Sequence, residues 1–207
     1  MPVYPTLNLV FVHVPKTAGG AIQELLNKYK APGQRTPINR ILRNLPQKRD
    51  IMRAYIPGHA TAQQLRNWMG RELWNSYSSF AVVRNPYDRL ISAYEFERQT
   101  PVHHRHKRTN AMSFEEYIRS RNVAQTAMLT DKSGELMVDH LIHFENLHSE
   151  LDTFFEQHDV AERLPRSGKL NSSEKKSHLE YLTEDAVGYI NSACVRDFDL
   201  LGYQMKS

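Results

Sequence analysis

Apolar positions along the chain fall into short continuous blocks separated by amphipathic stretches. Asn8 to Val14 (NLVFVHV) is short, β-branched and aromatic, and Pro15 stops it, which predicts a buried strand. Ser79 to Val83 (SFAVV) is a second such block, broken by Asn85 and Pro86, and Asp139 to Phe144 (DHLIHF) is a third. Helical spacing fills the intervals. Ala21 to Lys30 places Ile22, Leu25, Leu26 and Tyr29 on one face, and Ala62 to Leu73 does so with Leu65, Trp68, Met69 and Leu73. Tyr87 to Arg98 turns Leu90, Ile91 and Tyr94 inward, and Ser113 with Glu116 forms a capping box ahead of Phe114, Tyr117 and Ile118. Glu145 to Gln157 and Thr183 to Phe198 complete the helices, while Gln99–Ala111 and Leu164–Ser177 read as polar surface loops. Strands that alternate with helices predict an α/β, three-layer sandwich with a central parallel sheet covered on both faces.

Length and composition narrow the class. The 207 residues fit a single domain spanning 1–207, and 40% apolar with 24% charged residues excludes wholesale disorder. The one cysteine, Cys194, excludes an intramolecular disulfide framework and points to a reducing, cytoplasmic setting. No apolar run reaches the roughly 18 residues of a membrane span. The N-terminal apolar stretch is short and alternates like a strand, so it does not read as a signal peptide. Net charge is +4, and it is unevenly distributed. Lys30 to Arg53 holds seven Lys/Arg against one Asp, whereas Glu145 to Glu162 holds six acids and no Lys/Arg. Two solvated faces would explain this, as would a basic side that receives an anion.

The first candidate chemistry lies between the first strand and its helix, in PKTAGG (15–20). A helix start leaves backbone N–H groups unpaired, and glycines there let an anion approach the backbone. Lys16 adds a full charge and Thr17 a hydroxyl. The segment Lys16, Thr17, Ala18, Gly19, Gly20 and Ala21 therefore reads either as a phosphate- or sulfate-sized site or as an ordinary turn with an exposed lysine. It is not a Walker A loop, because His13, Val14 and Pro15 precede the lysine where that motif requires a glycine-led wrap.

The second lies at the end of the next strand, in RNPYDRLISAY (84–94). Arg84 closes an apolar strand, where an unused charge is costly, and Ser92 follows eight residues later within the next helix. Ligands of open α/β sheets bind at the carboxyl ends of strands, so Arg84 and Ser92 are candidates to hold a second phosphate. The plain alternative pairs Arg84 with Asp88 or another acid and makes Ser92 a small packing residue. Asp88 and Arg89 read as structural, a helix-start acid and an ion-pair partner.

VFVHVPKTAGGAI followed by FAVVRNPYDRLISAY resembles the paired signature of sulfotransferases that use 3′-phosphoadenosine 5′-phosphosulfate (PAPS). It is closest to the carbohydrate-type families with an H-x-P-K-T-x-G opening. DHLIHFENL and LPRSGKLNSS also resemble that family's third strand and late nucleotide-side loop. The resemblance implies a P-loop-like sulfotransferase fold and transfer of a sulfuryl group to an acceptor hydroxyl on a carbohydrate, with no metal. It places the 5′-phosphosulfate on Lys16 to Ala21, with Lys16 near the bridging oxygen, and the 3′-phosphate on Arg84 and Ser92. Lys169 and Asn171 would close over the nucleotide. One departure stands out: this chain has Gly20 and Ala21 where family members usually carry Thr or Ser, so two hydroxyl donors are missing.

The reaction also needs a base that titrates near neutrality, which favours histidine. Of ten histidines, His59 in IPGHATAQQL (56–65) resembles the G-H position that serves as base in uronyl-type members. Without the resemblance it would read as a helix-cap or surface histidine. His13 reads as structural, and Glu24 as a weaker alternative base. His103, His104 and His106 stand among Arg105, Lys107 and Arg108 in a loop without acids, which reads as a solvated loop or a contact surface for an anionic glycan rather than a metal site. It lacks the interleaved aromatics of a nucleic-acid surface. Two other classes remain open: a nucleotide kinase or NTPase with a degenerate loop, and a nucleotide-binding module without catalysis.

Overall fold

The computed structural model describes residues 2–33, 48–166 and 178–207. They gather into two compact units, Met1–Val83 with Ala127–Ser167, and Arg84–Thr126 with Gly168–Ser207. The strands are β1 (Val3–Tyr4), β2 (Leu9–Val12), β3 (Ser78–Val83) and β4 (His140–His143). The helices among the described residues are α1 (Gly19–Leu25), α2 (Ala62–Met69), α3 (Arg71–Asn75), α4 (Pro86–Gln99), α5 (His106–Asn110), α6 (Phe114–Arg119), α7 (Thr126–Leu129), α8 (Leu147–Gln157), α9 (His178–Tyr181), α10 (Glu184–Ala193) and α11 (Val195–Leu201).

The first unit holds the sheet, in the order β1-β2-β3-β4. The three strands expected from the apolar blocks run parallel, with Phe11 opposite Phe80 and Phe80 opposite His140. The sheet is therefore mostly, not wholly, parallel: β1 pairs antiparallel with β2, Val3 against Val10. A two-residue strand between Pro2 and Pro5 is too short to leave a period in the sequence. It forms because a 3-10 turn at Pro5–Leu7, closed by a left-handed Asn8, folds it back onto β2.

Leu9, Phe11, Phe80, Val82 and Ile142 form one apolar face, packed with Ile22, Leu26 and the α8 residues Leu147, Leu151, Phe154 and Phe155. The interleaved Val10, Val12, Ala81 and Val83 are equally buried. Both faces of β2 and β3 are thus dry, which is why their sequences are continuous apolar runs rather than alternating ones. Each of the Val, Leu, Ile and Phe side chains contributes roughly 1.5–3 kcal/mol of burial. The expected helix 62–73 starts on a complete capping box, with Thr61 Oγ accepting from Gln64 N and the Gln64 side chain accepting from Thr61 N. Gly70 at φ +80° then divides it into α2 and α3.

The second unit is helical. Its core joins Tyr87, Leu90, Ile91 and Tyr94 of α4 to Phe114, Tyr117 and Ile118 of α6, and to Ala186 and Ile190 of α10. Asn85 caps α4 by accepting from Tyr87 N, and the Ser113–Glu116 capping box is complete. The basic loop 99–111 contains the short helix α5, which its composition did not announce. Buried Glu97 holds that region: it accepts from Thr109 Oγ1 at 3.0 Å and from both Arg121 guanidinium nitrogens at 2.9 and 3.1 Å. These bonds outweigh the desolvation that would raise it and keep its carboxyl below the usual range.

Candidate active site

The first unit builds a tight turn between β2 and α1. Lys16 and Ala18 have φ of +71° and +63°, a left-handed backbone that residues with a Cβ avoid. Strain of this kind, of order 1–3 kcal/mol per residue, persists where surrounding structure imposes it, and it concentrates at functional sites. Here Thr17 imposes it. Its fully buried hydroxyl donates to the Val14 carbonyl at 2.8 Å and ties the turn shut. The first internal bond of α1 is made by Ala21 N to Ala18 O, so Gly19 and Gly20 open the helix. Lys16 is half-buried and Gly20 is exposed.

The two glycines are not equivalent. A Cβ at Gly19 would stand 1.9 Å from His13 Cδ2 and 2.1 Å from its Nε2, so the imidazole fills the space a side chain would need. A Cβ at Gly20 would meet nothing within 4 Å. His13, directly after β2, is 8% exposed and stacks on Phe11 with centroids 5.5 Å apart. Burial, with His59 adding to it, drives its pKa down to about 3, so the ring is neutral at physiological pH.

His59 lies against this ring, with centroids 4.3 Å apart, and is itself exposed. Its Nδ1 is 3.2 Å from the His13 carbonyl. A carbonyl only accepts, so His59 Nδ1 is the donor, and Nε2 is the ring nitrogen that can act as an acceptor. The structure thus brings His59, His13 and the Lys16–Ala21 turn together in one unit, although His59 and His13 lie 46 positions apart in sequence.

Arg84 and Ser92 belong to the second unit. Arg84 directly follows the last residue of β3 and is half-buried, as is Ser92 on α4. The Gln125 side chain bonds the Arg84 backbone at both its N–H and its carbonyl. Asp88 sits in the first turn of α4, as a helix-start acid should. Arg89 is buried and donates to the Val123 carbonyl; burial lowers its pKa, and the Asp197 charge opposes that shift. Lys169 and Asn171, and the basic stretch 34–47, lie outside the described residues. In the basic loop, the rings of His103 and His104 touch at 4.5 Å, and His106 Nδ1 reaches the Glu97 carbonyl at 3.3 Å. Among the described residues no three His, Cys, Asp or Glu side chains gather as a metal site would need.

The model of the sulfotransferase family matches residues 1–204. The chain belongs to the sulfotransferase family. Sulfuryl transfer is therefore its reaction class. Among curated proteins and among solved structures, none matches the chain. No helix among the described residues is long and apolar enough to cross a membrane.

Two features of this sulfotransferase left no trace in the sequence reading. One is the His13 ring as the wall behind Gly19, hidden because His13 reads as one more buried strand position. The other is Gln125, a lone amide in an unpatterned stretch, whose partner Arg84 lies 41 positions away.

Proposed function

We propose that the protein transfers a sulfuryl group from PAPS to an acceptor hydroxyl on a carbohydrate. The observation that carries this reading is the strained Lys16–Ala18 turn backed by His13, with His59 packed on the His13 ring and bonded through Nδ1 to the His13 carbonyl. The turn suits an anion: Lys16 supplies charge, and the open side of Gly20 leaves room for a ligand to reach the backbone.

When bound, PAPS supplies the sulfuryl group and an adenosine 3′,5′-bisphosphate leaving group. Residues 16–21 receive the 5′-phosphosulfate, with Thr17 acting through the backbone it ties down. Arg84 and Ser92 hold the 3′-phosphate, and Lys169 and Asn171 contribute from the nucleotide side. His59 Nε2 accepts the proton of the acceptor hydroxyl as that oxygen forms its bond to sulfur. Lys16 offsets the charge that develops on the phosphate oxygen as its bond to sulfur breaks. Exposure of His59 matches a base that must meet a bulky acceptor, and the exposed Arg105, Lys107 and Arg108 suit an anionic glycan. The setting that accompanies this reading is cytoplasmic, in keeping with a single buried, unpaired thiol at Cys194.

The test is a thermal-shift and transfer series. Adenosine 3′,5′-bisphosphate should raise Tm without magnesium, and Arg84→Ala should remove most of that shift. His59→Gln should bind the nucleotide as wild type does while sulfate transfer falls by about 10²–10⁴. Stabilisation by ATP with magnesium alone would point to a kinase or NTPase, and binding without transfer to any acceptor would point to a non-catalytic module.

A further inference from the structure

The chain leaves β3 at Arg84, where the strand ladder stops and the backbone groups need new partners. One side chain takes both. Gln125 Oε1 accepts from Arg84 N at 3.0 Å, and Gln125 Nε2 donates to Arg84 O at 2.7 Å. The amide does what a neighbouring strand would have done, at a single residue. Gln125 is 1% exposed, so water does not compete for these bonds.

Gln125 is itself held. Its backbone N–H donates to Asp197 Oδ2 at 2.8 Å, and its Nε2 lies 3.4 Å from the same oxygen. Asp197, on α11, is fully buried. Its other oxygen accepts from Thr126 N and Thr126 Oγ1, both at 2.8 Å. A carboxylate can only accept, so Asp197 forces the Gln125 amide to turn NH2 toward it, and this same orientation leaves Oε1 for Arg84 N. A buried charge on α11 thereby sets the handedness of an amide that grips the Arg84 backbone.

We propose that Gln125, oriented by Asp197, is a positioning residue for Arg84: it fixes that backbone, and with it the Cα–Cβ direction from which the side chain departs, so part of the ordering that phosphate binding costs is already met. The proposal rests on the reading of Arg84 as the 3′-phosphate ligand and names what makes that ligand selective.

The experiment uses the purified full chain, with titration calorimetry of adenosine 3′,5′-bisphosphate and of adenosine 5′-monophosphate, which lacks the 3′-phosphate. Gln125→Met keeps the length and removes both bonds. It should weaken the bisphosphate about ten-fold and the monophosphate less than about two-fold, raising KM for the donor with kcat unchanged. Asp197→Asn, close in shape, should produce the same selective loss at smaller size, and it serves as the reporter if Gln125→Met does not fold. In an Arg84→Ala background, Gln125→Met should cost the bisphosphate nothing further. Equal losses for both nucleotides, an additive loss in the Arg84→Ala background, or undiminished bisphosphate binding in a folded variant would each overturn the positioning role. A wild-type protein with no preference for the bisphosphate would instead overturn the 3′-phosphate reading, and this proposal with it.

Discussion

Gly19→Ala isolates the contact that joins the Lys16–Ala21 turn to the histidine pair. The added methyl would sit 1.9, 2.1 and 2.7 Å from His13 Cδ2, Nε2 and Cγ, against an ordinary contact near 3.4 Å or beyond. The ring would have to retreat by more than 1 Å. It has little freedom to do so, because Phe11 stacks on it and His59 leans on it. Overpacking of this kind costs about 1–3 kcal/mol, while replacing a helical glycine by alanine returns up to about 1 kcal/mol. The net expectation is a loss of about 1–2 kcal/mol. Gly20→Ala is the matched control. It makes the same chemical change one residue along, into open space, and should be neutral or stabilising by up to about 1 kcal/mol. Urea unfolding at pH 8, where His13 is neutral in both states, measures the two against wild type. A double-mutant cycle with His13→Ala should show coupling of about 1–2 kcal/mol for Gly19→Ala and none for Gly20→Ala. If the two alanine variants unfold at the same urea concentration, or if the cycle is additive, the packing of Gly19 against His13 is refuted.

Other outcomes follow from the same site. His13 is held down at about 3, below its ordinary value near 6.5, so the unfolded chain binds more protons between those limits and stability falls as pH drops through 6.5. Between pH 7.5 and 5 the loss from this group should be about 2 kcal/mol. His158, which burial also holds below its usual range, adds a slope of the same sign, so the measurement is the difference between wild type and His13→Asn in urea unfolding at pH 7.5 and 5; equal drops in both proteins would clear His13 of the effect. Gly20→Ser restores a hydroxyl where there is room for it, and it should tighten adenosine 3′,5′-bisphosphate by about three- to ten-fold in calorimetry. An unchanged Kd would mean that this side of the turn does not face the 5′-phosphate.

Much of this architecture was legible from neighbouring residues alone. The apolar blocks became β2, β3 and β4; β2 and β3 are dry on both faces, and burial of that kind is written as consecutive Val, Phe and Ala. The capping boxes at Thr61–Gln64 and Ser113–Glu116 formed as read, since both halves lie within one turn. Departures arose where distant groups decided. β1 exists only because β2 offers it an edge, and α5 only beside the buried Glu97 network. The left-handed Lys16 and Ala18 were invisible because neither is glycine; Thr17 reaching back to Val14 holds them there. His13 at Gly19, His59 on the His13 carbonyl, and Gln125 on Arg84 are pairings across the fold, between residues whose own sequence neighbourhoods say nothing of each other. Propensity, capping and periodicity act over a few residues and so are carried by the sequence locally. Which imidazole backs the turn and which amide holds the arginine depend on chain crossovers that only the packed tertiary structure brings within reach.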